Sequence, residues 1–355
     1  MDDPAPTGRR LRIGIRCDAG PTTGVGHLVR CVSLAEEVLG RGHDAVFLSD
    51  LGGVDFAERQ LAARGLVRVD PPRDAAQALA AVDEHRLDAV VLDSYVLDPA
   101  LSAALVEQGV PVLGVVDGSL RGLTAQLYLD QNIGAQDDVH DLPAGARRLA
   151  GTSYALLRDA VRDLRPPVPW RPTGLPPRVV VAFGGTDALH VTEAAVRAMV
   201  ATGLPFTATV VSPQAQVRAR LTALGSDAQR VEAVAPRDDF PRLLAGADLA
   251  VGAAGSSAWE YACLGVPAAV LAVVDNQADA YRRLVGLGAV LGVGTLEALR
   301  DGAPSAQEAL RAALGDEVAR ARVAAAAYAL VDGDGRVRVV TALEELVTSV
   351  ACGAR

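Results

Sequence analysis

Gly24-Val25-Gly26-His27-Leu28-Val29-Arg30 joins two turn-forming glycines to a titratable ring, directly after a run, Leu11 to Cys17, that reads as a buried strand. Glycines there let the backbone turn tightly and approach a ligand closely. The residues that follow have helical spacing, which puts His27 in the first helical turn. Unpaired N–H groups and the helix macrodipole make the potential there positive. That potential disfavours an imidazolium and suits His27 to accept a proton. A glycine loop alone binds an anion; one that ends in histidine adds a base.

A second group lies in the other half of the chain, at Gly252-Ala253-Ala254-Gly255-Ser256-Ser257-Ala258-Trp259-Glu260. A strand ends, small residues turn, and a helix opens with two hydroxyls. Its N–H groups together with Gly255, Ser256 and Ser257 suit a diphosphate. Glu260 falls a little over one turn later, on nearly the same face, where a carboxylate can accept both hydroxyls of a ribose. A capped helix with Glu in its first turn has the same pattern without any ligand. Gly184-Gly185-Thr186-Asp187 opens the same half as a second glycine turn and favours the nucleotide reading. Two strands of the first half end in acids, at Asp93 and Asp117, where open parallel sheets bind ligands. Strands also end in Asp simply to begin a turn.

These residues need a scaffold that repeats strand, turn and helix. The first half alternates short β-branched runs with amphipathic runs such as Leu28, Cys31, Val32, Ala35, Val38 and Leu39, the signature of a parallel sheet with crossover helices. Leu127 to Ile133 reads as its last strand. Arg165 to Pro177 holds six prolines and reads as a semi-rigid linker. The pattern restarts at Arg178, and a helical tail from Ser305 to Val350 is broken at Asp332-Gly333-Asp334-Gly335, a turn rather than a calcium loop. The predicted organisation is therefore α/β: residues 1–164 and 178–355 form two Rossmann-like domains facing a cleft, joined by the linker at 165–177.

Composition excludes several classes. A chain of 355 residues suits two cores, and a net charge of −9 with dispersed acids argues against a nucleic-acid surface. Cys17, Cys31, Cys263 and Cys352 are scattered, as expected of reduced thiols in a cytoplasmic protein. No apolar run reads as a signal peptide or a membrane span. His43, His85, His140 and His190 share no metal spacing with one another or with the cysteines. Val29 stands where a dinucleotide fingerprint needs its third glycine, no Walker loop follows any glycine turn, and no nucleophile elbow occurs.

Taken in order, Arg16-Cys17-Asp18, Gly24 to Arg30, Leu92-Asp93-Ser94-Tyr95, Asp117, Asn132, Gly151 to Arg158, Gly184 to Asp187, Gly252 to Glu260 and Asp275-Asn276-Gln277 resemble the UDP-sugar hydrolases of pseudaminic acid biosynthesis and the spore-coat polysaccharide proteins of the SpsG type. The resemblance spans roughly residues 12 to 290. It implies a GT-B fold and water attack at the anomeric carbon of a UDP-linked amino- or deoxysugar, with release of UDP and no metal or other cofactor. By the same resemblance His27 is the base, assisted by Tyr95 and Asn276. Asp18, Gly24, Gly26, Arg30, Asp93, Asp117 and Asn132 face the substrate, while Gly184, Gly185, Thr186, Asp187, Gly255, Ser256, Ser257 and Glu260 hold the nucleotide. The chain departs from the hydrolases at Ser94, where they carry a histidine. Two further readings use the same residues: a glycosyltransferase, in which an acceptor hydroxyl replaces water, and a sugar-nucleotide-binding protein without turnover.

Overall fold

The computed structural model describes residues 9–20, 24–173, 176–184, 187 and 189–353. The chain forms two compact α/β units, Met1–Arg158 with Asp334–Arg355, and Asp159–Gly333.

In the first unit, β1 (Arg12–Cys17), β2 (Asp44–Leu48), β3 (Val67–Val69), β4 (Ala89–Asp93), β5 (Val112–Val115), β6 (Leu127–Asp130) and β7 (Arg147–Ala150) make a parallel sheet ordered β3-β2-β1-β4-β5-β6-β7. Alternation along β1 sends Ile13, Ile15 and Cys17 into one core, with Leu28, Cys31, Val32 and Ala35 of the Gly26–Gly40 helix. Val90, Leu92 and Val112 face a second core on the other side of the sheet, with Leu101 and Leu105 of the Pro99–Glu107 helix. Burial on both faces accounts for the nearly unbroken apolar runs of these strands. β7 extends the sheet beyond the strand that reads as its last. Its sequence, Arg-Arg-Leu-Ala, carries no apolar alternation because only Leu149 is buried on this edge strand.

In the second unit, β8 (Arg178–Ala182), β9 (Phe206–Val211), β10 (Gln229–Val234), β11 (Leu249–Ala253), β12 (Ala268–Ala272) and β13 (Leu291–Thr295) are ordered β10-β9-β8-β11-β12-β13, again all parallel. β13 is absent from the sequence reading because its two glycines weaken the strand signal. Gly294 has φ +109° where the register shifts against β12.

Two domain assignments differ from expectation. The proline-rich stretch does not bridge the units, because its described residues are strapped onto the second. Trp170 N donates to Gly265 O at 3.0 Å. Trp170 Nε1 and Thr173 Oγ1 donate to Asp248 at 3.1 and 2.7 Å. Arg165 donates to the carbonyls of Cys263 and Val331 at 2.7 and 2.6 Å. Proline removes N–H donors from such a run but leaves its other side chains free to anchor it.

The end of the tail belongs to the first unit rather than the second. Val339, Val340, Ala342 and Leu343 of the Gly335–Gly353 helix lie in the core beneath the Gly26–Gly40 helix. Arg336 pairs with Glu36 at 2.8 Å, and Arg41 and His43 both reach Glu344, at 2.6 and 2.9 Å. The Asp-Gly-Asp-Gly break is where the chain crosses from one unit to the other.

Candidate active site

In both sheets the strand order reverses beside the first strand, between β1 and β4 and between β8 and β11. Open α/β sheets bind ligands outside the carboxyl ends of their strands at such a point.

In the first unit, the turn after β1 is pinned by paired backbone hydrogen bonds between Gly20 and Gly24, at 3.1 and 2.8 Å. Gly24 has φ +76°, which favours glycine. Gly26 then opens the helix, and His27 stands in its first turn. His27 Nδ1 lies 2.7 Å from Oδ1 of Asp93, the last residue of β4. Arg30, one turn further along, donates to the same carboxylate through Nε at 2.6 Å and Nη2 at 2.5 Å. Cys31 donates its thiol to Asp93 Oδ2 at 3.4 Å.

Burial opposes the charge on Asp93, which is 0% exposed, but Arg30 and then His27 outweigh it and hold the carboxyl well below the usual carboxylate range. An ionised carboxylate only accepts, so the proton of the imidazole sits on Nδ1. Arg30 Nη2 lies 3.0 Å from that nitrogen. Both atoms carry hydrogen, so this approach is a contact and not a hydrogen bond. His27 Nε2 has no hydrogen-bond partner among the described residues. A histidine oriented through Nδ1–H by a buried carboxylate is the arrangement of a general base.

Arg30 also faces Asp117, beyond the end of β5, at 3.3 Å. Burial works against this guanidinium, but Asp93 and Asp117 keep it firmly charged. Asp117 accepts in addition from the Tyr95 hydroxyl and from Asn132 Nδ2, the latter at 3.1 Å. Burial opposes the charge on Asp117, and Arg30 followed by the Tyr95 hydrogen bond reverses that effect. Burial, then Asp117, push the Tyr95 phenol well above its ordinary range. The Tyr95 ring meets the His27 ring edge to face, centroids 4.6 Å apart, and Arg121 lies 4.5 Å above it. Asp18, after β1, pairs with Arg16 at 2.5 Å and accepts from Ser94 at 3.4 Å.

The structure thus joins His27, Tyr95, Arg30, Asp93, Asp117 and Asn132 in one network at the strand ends. Within it Asp93 and Arg30 are buried, their charges paired with each other and with His27 and Asp117. Asp130 and Arg121 belong to the network without having been singled out in sequence. Asp130 accepts from Asn132 Nδ2 at 2.9 Å and from Gly118 N at 2.8 Å, and it ends β6 as Asp93 ends β4. That strand-end position was its legible signal. Arg121 had none.

In the second unit, Gly184 follows β8 with φ +77°, and Gly185 and Thr186 lie outside the described residues. Asp187 is buried and accepts from Val191 N at 2.8 Å, at the start of the Val191–Ala201 helix, so its carboxylate is occupied as a helix cap. Ser256 is the exposed N-cap of the Ser257–Leu264 helix, and Gly255 before it is partly exposed. Glu260 is 8% exposed. Gly252 permits the turn's close packing, because a Cβ there would stand 2.4 Å from the Tyr261 hydroxyl and 2.9 Å from Ala182 O. Asn276 is exposed in the short Asp275–Gln277 turn after β12.

Solved structures share this architecture. The chain is similar to MurG of Acinetobacter baumannii, at 17% identity and TM-score 0.66, covering 94% of this chain and 99% of that one. The fold is GT-B. UDP-GlcNAc 2-epimerase from Neisseria meningitidis, bound to UDP-GlcNAc, matches at 13% identity and TM-score 0.65 over 94% of this chain and all (100%) of that one. The spinosyn rhamnosyltransferase SpnG, complexed with thymidine diphosphate, matches at 20% identity and TM-score 0.59 over 94% and 100%. Neither a family model nor a curated protein matches the sequence. Among the described residues there is no group of three or more His, Cys, Asp or Glu side chains able to hold a metal ion, and no helix long and apolar enough to cross a membrane.

Proposed function

We propose that the protein hydrolyses a nucleotide sugar, a UDP-linked amino- or deoxysugar, at its anomeric C–O bond. The observation that carries this reading is the oriented base: His27 with Nδ1 on buried Asp93 and Nε2 free at the sheet's ligand-binding edge. The GT-B fold supports a sugar nucleotide, since the similar solved structures include one bound to UDP-GlcNAc and one complexed with thymidine diphosphate. The likeness of the motifs to the pseudaminic hydrolases supports water as the nucleophile.

In the proposed reaction, His27 Nε2 takes a proton as a water oxygen bonds to the anomeric carbon. The bond from that carbon to the phosphate oxygen breaks, and its electron pair leaves with UDP. Asp93 stabilises the imidazolium formed. A base so placed supplies about two to four orders of magnitude. Gly255, Ser256, Ser257 and the first N–H groups of the Ser257–Leu264 helix receive the diphosphate, and Glu260 the ribose.

The test is to incubate the purified protein with UDP-sugars and follow UDP release without an acceptor. The reading expects free sugar in equal amount and loss of turnover in His27→Ala. Label transferred only to an added acceptor replaces the reading with glycosyl transfer. Full turnover by His27→Ala overturns the assigned base.

A further inference from the structure

We propose that Asp18 sets which sugars the first unit accepts: its carboxylate requires a hydroxyl or acylamino hydrogen on the sugar ring, and Ser94 positions it for that contact. This inference rests on the hydrolase reading above and names the chemistry of the sugar.

Asp18 follows β1, beside the point where the strand order reverses, and its partners come from β1 and from the strands on both sides. On β1 itself, Arg16 Nη1 donates to Oδ1 at 2.5 Å. After β2, the Asp50 N–H donates to the same oxygen at 3.4 Å. After β4, Ser94 Oγ donates to Oδ2 at 3.4 Å. Arg16 and Ser94 are buried, so the carboxylate is fixed through both oxygens from below, yet its side chain is 23% exposed.

Counting lone pairs gives the polarity of this corner. An ionised carboxylate has two on each oxygen. Arg16 and Asp50 fill Oδ1. Ser94 takes one of the two on Oδ2, and the other has no partner among the described residues. Ser94 has nothing to add, because its one proton is on Asp18 and its oxygen already receives Val96 N at 3.3 Å. The corner therefore offers an acceptor and no donor. An ionised phosphate, which only accepts, is not matched here; a ring hydroxyl or the N–H of an acylamino group is. Pairing with Arg16 balances the charge of Asp18, so a neutral donor is taken up without adding an unpaired charge.

The corner adjoins the base. Ser94 directly follows Asp93, which orients His27, so one strand end sets both the base and Asp18. A fixed acceptor there discriminates strongly, because a sugar lacking the donor leaves a desolvated carboxylate oxygen unmatched.

The experiment compares the UDP-sugar that the wild-type protein hydrolyses with analogues in which one hydroxyl or acylamino group of the sugar is replaced by hydrogen or by fluorine, one position at a time. Affinities are measured by titration calorimetry with His27→Ala, so that no sugar is consumed. At one position, replacement by hydrogen is expected to weaken binding about tenfold to a hundredfold, as for a hydrogen bond to a charged group. Whether that position carries oxygen or nitrogen identifies the donor. Fluorine, which keeps an acceptor but no donor, is expected to restore nothing.

Two further substitutions assign the effect. In Asp18→Asn the carbonyl can keep Arg16 while the NH₂ takes the place of Oδ2, which turns the open position from acceptor to donor. The parent sugar and the analogue at the responsive position are then expected to bind within about threefold of each other. Ser94→Ala leaves the ion pair with Arg16 in place and is expected to shrink the same difference by about threefold, at that position and no other. Restoration by fluorine, the absence of a responsive position, or a difference that survives Asp18→Asn overturns the role of Asp18 and leaves the hydrolase reading standing. A difference untouched by Ser94→Ala overturns the part given to Ser94. Failure to release UDP from every sugar nucleotide overturns the hydrolase reading, and the choice of sugar with it.

Discussion

Asp93 binds His27 and Arg30 with the same carboxylate: Oδ1 lies 2.7 Å from the imidazole Nδ1 and 2.5 Å from the guanidinium, and Oδ2 takes Arg30 Nε at 2.6 Å. The base and the buried cation are therefore set by one residue at the end of one strand. Replacing it with an isosteric amide separates the two duties. In Asp93→Asn the amide can turn its NH₂ toward Nδ1, which places the imidazole proton on Nε2 and removes the free lone pair. We expect kcat to fall by about 10²–10⁴-fold with little change in KM. A KM effect alone would assign Asp93 to substrate binding.

Arg30 is nearly buried between two carboxylates, so shortening it leaves both without their cation. Arg30→Met is expected to lower unfolding free energy by about 3–5 kcal/mol, the range for breaking a buried ion pair on one side. Chemical denaturation would measure this. A loss below about 1 kcal/mol would mean that solvent reaches the pair, as at a surface salt bridge.

The contrast between these residues and Asp187 explains what could be read before the structure. Asp93, Asp117 and Asp187 all follow apolar strand runs, and period and composition mark them equally. Which way a carboxylate turns depends on the donors around it, and those come from distant parts of the chain. For Asp93 they are His27 and Arg30, on the helix after β1; for Asp187 they are the backbone N–H groups of its own following helix. The alternation of strands and helices was legible because burial on both sheet faces imprints long apolar runs. β7 escaped because an edge strand with one buried side chain leaves no such imprint. The place of the last helix escaped for another reason. Its apolar face fits any sheet-covering position, and only pairs such as Arg336 with Glu36 specify which unit it covers.

Acid should weaken both units through identifiable groups. Burial opposes the charges of Asp93 and Asp248, but Arg30 in the first case and Arg178 in the second outweigh it, and both carboxyls fall well below their ordinary values. A depressed carboxyl contributes stability that is complete above its unfolded value, about 4 for aspartate, and is lost as pH falls toward the folded value. The urea midpoint should therefore hold above about pH 5 and drop steadily below about pH 4. Asp93→Asn should start lower and flatten the acid limb. An unchanged limb in that variant would remove Asp93 from the account.

The tail assignment makes a prediction about truncation. Ending the chain at Gly333 removes Val339, Val340, Ala342 and Leu343 from the first core and leaves Glu36 and Glu37 without Arg336. At about 1.5–3 kcal/mol per large apolar side chain, losing Val339, Val340 and Leu343 costs about 5–9 kcal/mol, comparable with the whole stability of a marginal domain. Limited proteolysis should degrade residues 1–158 while a fragment near 159–333 persists. The reverse pattern would return the tail to the second unit.

Gly335 tests the same crossing with a single methyl group. A Cβ at this position would stand 2.3 Å from Ala155 O, 2.5 Å from Tyr154 C and 2.6 Å from Ala155 N. All three are backbone atoms, so no side chain can swing aside. The helix must move away from the Thr152–Tyr154 turn, or the turn from the helix. Intrinsic propensity runs the other way, since alanine in a helix is favoured over glycine by about 1 kcal/mol. The steric term should prevail, because overpacking against an unyielding wall costs about 1–3 kcal/mol and Arg336, the next residue, would be drawn from Glu36 as well. We expect Gly335→Ala to lower the melting temperature, and Gly286→Ala, in a helix with open space at its Cβ, to leave it unchanged or raise it. If Gly335→Ala raises it too, helix propensity decides at both sites and the close packing of the crossing is not a constraint.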